Sequence, residues 1–168
     1  MSKKKKNARF EDIDGKAAFV LPLTLIRHEN WTRLTPYGNK LIMDLGAQYT
    51  GFNNGYLCAS WTLMQERGWR SQDTLYRAEL EIEYYGLTVR TQHGGLHKPN
   101  LYAFTWRRID EKPGQPLELA PTERPCNAWK EPRVRFVFEE AKRGGTRRRP
   151  RAASEESRVK RAFEKRVA

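Results

Sequence analysis

The residues best suited to chemistry lie in a turn between two short runs of alternating apolar and polar side chains, within residues 86–106. The turn carries His93, His97 and Lys98 around a pair of glycines. Histidine and lysine donate hydrogen bonds to phosphate oxygens, and glycine lets a turn approach another backbone closely. A metal site is the rival interpretation, but two histidines without a nearby cysteine or carboxylate supply too few ligands.

No catalytic motif accompanies this turn. The sequence contains no P-loop and no paired metal-ligand motif, and no serine or cysteine stands in a recognisable nucleophile motif. Only three histidines are present, which leaves little material for acid–base catalysis. We therefore expect a protein that is not an enzyme and that uses no metal or other cofactor.

The formal net charge of +12 is concentrated at the two ends of the chain. Residues 1–10 contribute +5 and residues 139–168 contribute +6, which leaves +1 for residues 11–138. Two cationic arms around a nearly neutral centre indicate a polyanionic partner, most often nucleic acid. The alternative is that the arms are solvated tails that only aid solubility.

The cysteine content and the hydropathy pattern bear on the compartment. Cys58 and Cys126 lie far apart and form no CxxC motif, which argues against a disulfide framework and suits a reducing compartment. No apolar run approaches the roughly 20 residues of a membrane span, and the N-terminus lacks the apolar stretch of a signal peptide. We expect a cytoplasmic protein with no membrane partner.

The two alternating runs predict a β-hairpin, and three helices are predicted before it. Thr35 followed by Pro36 predicts the start of the first helix, and Gly68 predicts the end of the second. Ser71 caps the third helix, which Gly86 ends. The apolar positions at helical spacing are Leu41, Ile42, Leu45 and Tyr49, then Ala59, Leu63 and Met64, then Leu75, Ala78, Ile82 and Tyr85.

The order of helix, helix, three-residue turn, helix and hairpin is typical of a helix-turn-helix with a wing. Residues 17–108 resemble the winged helix-turn-helix domains of small phage, prophage and plasmid DNA-binding proteins and replication initiators. The segments that carry the resemblance are "LTPYGNKLIMDLGAQYTGFNNGYL", "MQERGWRSQDTLYRAELE" and "YYGLTVRTQHGGLHKPNLYAFTW". The resemblance implies an α+β fold, with a three-helix core and a β-hairpin wing.

One position departs from the pattern of these domains. They usually carry leucine directly after the alanine of the third helix, whereas here Glu79 stands at that position and Leu80 follows. Either the helix is slightly rotated, or Glu79 meets a polar partner.

In a helix-turn-helix the second helix of the pair enters the major groove, with its N-terminal residues at the base edges. Gln72 can pair with adenine, and Arg77 with guanine or a phosphate. Arg77 also lies four residues from Asp73 and Glu81, so an ion pair on the helix surface is the alternative. The expected DNA-binding residues are Arg67, Arg70, Ser71, Gln72, Thr74, Tyr76, Arg77, Arg90, His93, His97 and Lys98.

The hairpin itself has two further interpretations. It can be purely structural with a solvated tip, which is the main alternative to a wing that contacts DNA. Its second run places Tyr102, Phe104 and Trp106 on one face, and such a face can stack on bases. We expect this face to lie in the core instead, because a small three-helix domain needs it to cover the sheet.

The ends of the chain carry less information than its centre. Residues 111–138 are rich in proline, and within them residues 133–137 alternate enough to add an edge strand. Residues 154–168 are too few, and their apolar stripe is too narrow, to be stable as an isolated helix, so they would form one only on DNA or on a protein partner. The expected parts are a basic arm at 1–16, the winged domain at 17–110, a linker at 111–138 and a basic tail at 139–168, with both arms disordered.

These observations predict a double-stranded DNA-binding protein that acts as a transcriptional regulator or as a replication protein of a mobile element. One alternative is an RNA-binding or ribosome-associated protein. Another is an adaptor in which the winged domain is a scaffold and the C-terminal tail docks on a protein. A homodimer would require inverted half-sites about one helical turn apart, but no coiled-coil seam forces one.

Overall fold

Five α-helices and three short strands follow one another in the computed structural model, which describes residues 18–95 and 98–139. Residues 1–136 form one compact unit and residues 137–168 a second, of which only 137–139 are described. The expectations for the two arms therefore lie almost entirely outside the described residues. The elements are α1 (Leu23–Ile26), α2 (Glu29–Thr32), α3 (Pro36–Gly46), β1 (Leu57–Cys58), α4 (Trp61–Glu66), α5 (Gln72–Tyr84), β2 (Thr88–Gln92) and β3 (Leu101–Phe104).

Helix α3 begins where the sequence predicts it. The hydroxyl of Thr35 accepts a hydrogen bond from the backbone N–H of Gly38 at 3.2 Å, and Pro36 occupies the first helical position. Leu41, Ile42 and Leu45 are fully buried, as their spacing predicts. The helix ends at Gly46, so the half-buried Tyr49 lies beyond it.

The predicted boundaries around the short turn after α4 are also confirmed. Gly68 follows the end of α4 and adopts a left-handed φ of 82°. Glycine tolerates this conformation best because it has no Cβ. The hydroxyl of Ser71 accepts from the N–H of Thr74 at 3.3 Å and caps α5. Gly86, with φ of 67°, follows the C-terminal end of α5. The predicted core positions of α5 are buried, namely Leu75, Ala78, Ile82 and Tyr85.

The three strands form one antiparallel sheet in the order β1–β3–β2. The register places Thr88 opposite Phe104 and Arg90 opposite Tyr102, and an irregularity between Arg90 and Gln92 then shifts it. A shift of this kind changes which side chains face inward. The alternation suggested for residues 87–91 holds only in part, because Thr88 is buried beside Leu87 whereas Val89 is half-buried.

The aromatic face of the hairpin belongs to the core, as expected. Tyr102 and Phe104 are fully buried, and Trp106 is 8% exposed. The rings of Phe104 and Trp106 stack with their centroids 4.5 Å apart, and Phe19 packs on both. These rings have no face open to a nucleic-acid base.

The proline-rich segment is irregular, but it packs on the domain and is not a free linker. We call residues 111–136 the strap. Its N–H groups at Glu118 and Leu119 both donate to the carbonyl of Thr91, and that of Asn127 donates to Thr105 at 2.8 Å. Near its C-terminal end the strap forms a 3₁₀ turn, Ala128–Lys130, and Trp129 within this turn is buried.

The edge strand expected at residues 133–137 does not form. The backbone N–H of Arg133 donates to the side-chain oxygen of Asn30 at 2.9 Å, and that of Phe136 donates to the hydroxyl of Tyr85 at 3.0 Å. These donors are satisfied by side chains, so they pair with no neighbouring strand.

A side-chain amide closes the outer edge of β1. Gln48, just after α3, accepts from the N–H of Cys58 and donates to its carbonyl, both at 2.9 Å. The amide therefore takes both hydrogen-bonding groups that a further strand would need at this residue.

Asn30 joins α2 to the C-terminal end of the strap. Its side chain is fully buried. Its NH₂ group donates to the carbonyls of Trp129 at 2.9 Å and Glu131 at 2.6 Å, and lies 3.3 Å from that of Tyr85. Its oxygen accepts from Arg133. One buried amide thus links three segments that are distant in sequence.

None of the described helices is long and apolar enough to cross a membrane.

We expect Asn30→Ala to lower the free energy of unfolding by about 3 kcal/mol, because buried carbonyls and an N–H lose their partner. It should also expose the end of the strap to protease, since three of the lost bonds reach residues 129–133. Urea denaturation and limited proteolysis measure the two effects.

Asn39→Ala is the matched control, because its amide makes one exposed bond to the carbonyl of Thr35. A change within about 0.5 kcal/mol is expected there. Equal losses in the two variants would contradict the role given to Asn30.

Candidate nucleic-acid interface

A buried carboxylate on α3 holds the turn between α4 and α5. Asp44 accepts from the indole N–H of Trp69 at 2.7 Å and from the ammonium of Lys40 at the same distance. Lys40 also donates to the carbonyl of Arg67 at 2.9 Å, at the end of α4. The turn that precedes α5 is therefore tied to α3 by two side chains, which fixes where α5 begins.

The N-terminal turn of α5 is open to solvent. Arg70, Ser71 and Gln72 are exposed, and Thr74 is half-buried. Arg70, Ser71 and Thr74, but not Gln72, line a shallow cavity of about 160 Å³ at the start of the helix, together with Tyr37 and Lys40. The first backbone N–H groups of a helix and its dipole favour an anion at this end. Four predicted residues therefore come together here.

Arg77 and Tyr76 lie on the exposed side of the same helix. The guanidinium of Arg77 bonds the carboxylate of Asp73 at 2.6 Å, so the ion pair considered above is present in the structure. Both side chains are more than half exposed, and such pairs contribute only a few tenths of a kcal/mol. Tyr76 is 44% exposed.

Arg90 does not reach the tip of the hairpin. It lies opposite Tyr102 in the sheet and faces α5, where it bonds Glu83 at 2.7 Å and lies over the Tyr102 ring. Its side chain is 22% exposed. The structure thus places this predicted contact inside the interface between α5 and the sheet, with a structural role.

Arg67 is also engaged within the domain. Its guanidinium lies 3.6 Å from Asp44, and its carbonyl accepts from Lys40. It flanks the turn as expected, but a carboxylate already compensates much of its charge.

The hairpin tip presents one exposed lysine and one histidine in the described residues. Lys98 is exposed and its backbone bridges to Gly95. His93 Nδ1 lies 2.7 Å from the carboxylate of Glu118 on the strap, and this bond holds the pKa of Glu118 below its ordinary value. The absence of a nearby carboxylate, inferred from the loop alone, was therefore wrong. His97 lies outside the described residues.

The described residues contain no cluster of three or more histidine, cysteine, aspartate or glutamate side chains that could hold a metal ion.

Glu79 meets a polar partner, which decides between the two explanations of its position. It is 8% exposed and accepts a hydrogen bond from the hydroxyl of Tyr102 at 2.8 Å. The core positions of α5 stay buried, so no rotation of the helix is needed. Glu79, Tyr102, Arg90 and Glu83 form a polar group between α5 and the hairpin.

Burial raises the pKa of Glu79 to about 7, although the Tyr102 hydroxyl and Arg90 oppose the shift. Burial also raises the pKa of Glu83, again against Arg90. One guanidinium faces two carboxylates, so the group is electrically balanced only when one of them is protonated. The contact between α5 and the hairpin is therefore least strained when Glu79 is neutral.

Comparison with protein-family models, with curated proteins and with solved structures finds no match for this chain.

We expect the stability of the domain to fall as the pH rises from about 4.5 to about 7. Folding raises the pKa of Glu79 from 4.5 to about 7, so the native state holds a proton that the unfolded chain has released. That proton is lost as the pH passes 7. Glu79→Gln stays neutral, so it should be about 1–3 kcal/mol more stable than the wild type at pH 8.

Urea denaturation at several pH values tests this expectation. The advantage of Glu79→Gln should shrink toward pH 5, while a smaller slope from Glu83 persists in both proteins. Glu66→Gln removes an exposed carboxylate from α4 and should leave the slope as in the wild type. A parallel pH profile for Glu79→Gln and the wild type would show that Glu79 is ionised throughout.

Proposed function

We propose that this protein binds double-stranded DNA, with α5 in the major groove and the hairpin tip against the backbone beside it. In this proposal the α4–turn–α5 segment is a helix-turn-helix and the hairpin is its wing. The observation that carries the proposal is the exposed, capped N-terminal turn of α5, whose opposite side is buried. Because only the opposite side of α5 packs on the core, the exposed turn can enter a groove while the domain stays folded.

The chemistry of the exposed turn suits both kinds of DNA contact. The amide of Gln72 can donate to and accept from the edge of an adenine, which selects a base. Arg70 and the first backbone N–H groups of α5 suit a phosphate oxygen, which sets position but not sequence. Lys98 would make a second phosphate contact from the hairpin.

The proposal differs from the sequence expectation in two residues. Arg90 is left out because Glu83 and Tyr102 engage it, and Arg67 is secondary because it lies beside Asp44. The basic arms at both ends would add affinity without sequence preference, and they would steepen the dependence on salt. Regulation of transcription and replication of a mobile element are both roles that such binding would serve.

The first experiment measures binding of the full chain to a random-sequence duplex pool across a salt series, followed by selection of preferred sequences. A steep salt dependence with an enriched sequence supports the proposal. Structured RNA is added as a competitor, and displacement of the duplex by RNA at equal concentration would favour an RNA-binding function instead.

Gln72→Ala should relax base preference at one position of the enriched sequence, at a cost of about 1–3 kcal/mol for the preferred base. Arg70→Ala should weaken binding to all sequences alike and lower the salt slope by about one. Gln65→Ala, an exposed glutamine on α4, is the matched control and should change neither property. Unchanged base preference in Gln72→Ala would refute the placement of α5 in the groove.

A further inference from the structure

A second cationic surface lies where α2 meets the end of the strap. Asn30 holds the two segments together, and the guanidinium of Arg33 donates a hydrogen bond to the backbone carbonyl of Arg133. These contacts bring α2 beside a part of the chain about a hundred residues away. Side chains from both segments therefore share one surface.

Most of the ionisable groups on this surface are basic. Its acidic members are Glu29, which pairs with Arg33 at 2.6 Å, and Glu131. Five basic side chains accompany these two acidic ones. We call this set the α2–strap surface: Arg27, Arg33, Lys130, Arg133 and Arg135.

Most cations of this surface are exposed, although Arg33 is paired with Glu29 and Lys130 lies over the ring of Trp129. Arg27, Lys130 and Arg135 are exposed, and Arg133 lies over the ring of Tyr84 with its guanidinium 5.5 Å from the ring centre. An arginine stacked on an aromatic ring keeps its N–H groups for a further partner. Around α5, by contrast, Lys40 and Arg67 share the carboxylate of Asp44.

The α2–strap surface is separate from the proposed groove contact. Asn30 lies against the carbonyl of Tyr85, just past the C-terminal end of α5, whereas Ser71 caps the opposite end. A helix of 13 residues is about 20 Å long. A phosphate bound at the N-terminal turn of α5 is therefore out of reach of the arginines and lysine at the other end.

We propose that the α2–strap surface is a second binding surface for the sugar–phosphate backbone of duplex DNA. This inference rests on the proposed function and adds a contact that the helix-turn-helix does not make. Five cations with two acidic neighbours match a run of phosphates, and arginine can bond phosphate oxygens in pairs. In this proposal the cations contact phosphates and not base edges, so the surface raises affinity equally for all sequences.

The test is a double variant, Lys130→Ala with Arg135→Ala, measured in the full chain on the selected duplex across a salt series. Both side chains are exposed and the bonds that fix the strap are made by other groups, so the fold should be retained. Loss of two phosphate contacts should lower the salt slope by about two. Base preference should stay as in the wild type.

The matched control is Lys112→Ala with Arg124→Ala, which removes one lysine and one arginine from the first half of the strap and its centre, outside the α2–strap surface. Its salt slope should equal that of the wild type. Equal losses in both double variants would overturn the inference, because overall charge alone would then explain them. A wild-type slope in Lys130→Ala with Arg135→Ala would also overturn it, while leaving the proposed groove contact intact. Failure of the wild type to bind duplex DNA would overturn both proposals.

Discussion

Two carboxylates on the buried side of α5 must be hydrogen-bonded, and that requirement decides where the neighbouring elements pack. Glu81 accepts from the backbone N–H of Thr35 at 2.9 Å and from its hydroxyl at 2.6 Å. Glu79 accepts from Tyr102 on β3. A buried carboxylate without a partner costs several kcal/mol, so α5 can settle only where both hydroxyls meet it. The cap of α3 and the inner strand of the sheet are thus positioned by one helix.

The position of Glu81 also explains Gly38, which lies inside α3 and forms no turn. A Cβ on Gly38 would lie 2.5 Å from a carboxylate oxygen of Glu81 and 3.0 Å from Leu34. Glycine at this helical position therefore lets the carboxylate approach the first turn of α3. The close approach is what allows one threonine to cap its own helix and to bind its neighbour at the same time.

Local signals were sufficient to predict α3, α4 and α5, but neither the short helices α1 and α2 nor the contacts that join the elements. Caps such as Thr35 and Ser71, and glycines such as Gly68, act within a few residues, so their effect can be read from the sequence. The strap depends on Asn30, whose partners lie about a hundred residues away. Nothing near an asparagine in sequence indicates such partners. The departure at Glu79 was visible, but its partner on another element was not.

The sequence was sufficient to predict which residue types lie at the candidate site, but not which of its basic side chains are paired with carboxylates. Counting basic residues places Arg67, Arg77 and Arg90 near the turn and hairpin, but each has a carboxylate partner in the structure. Pairing depends on the register of the sheet and on which side of a helix faces the core. The cations at the α2–strap surface were overlooked because their neighbours come from opposite ends of the domain.

The amide of Gln48 has a consequence for how copies of this chain meet. A sheet with an unoccupied edge can recruit a strand from another molecule. Here Gln48 takes both groups of Cys58 on one side, and the strap takes the carbonyl of Thr91 on the other. A strand from another copy would therefore find neither the N–H and carbonyl of Cys58 nor the carbonyl of Thr91 free to pair.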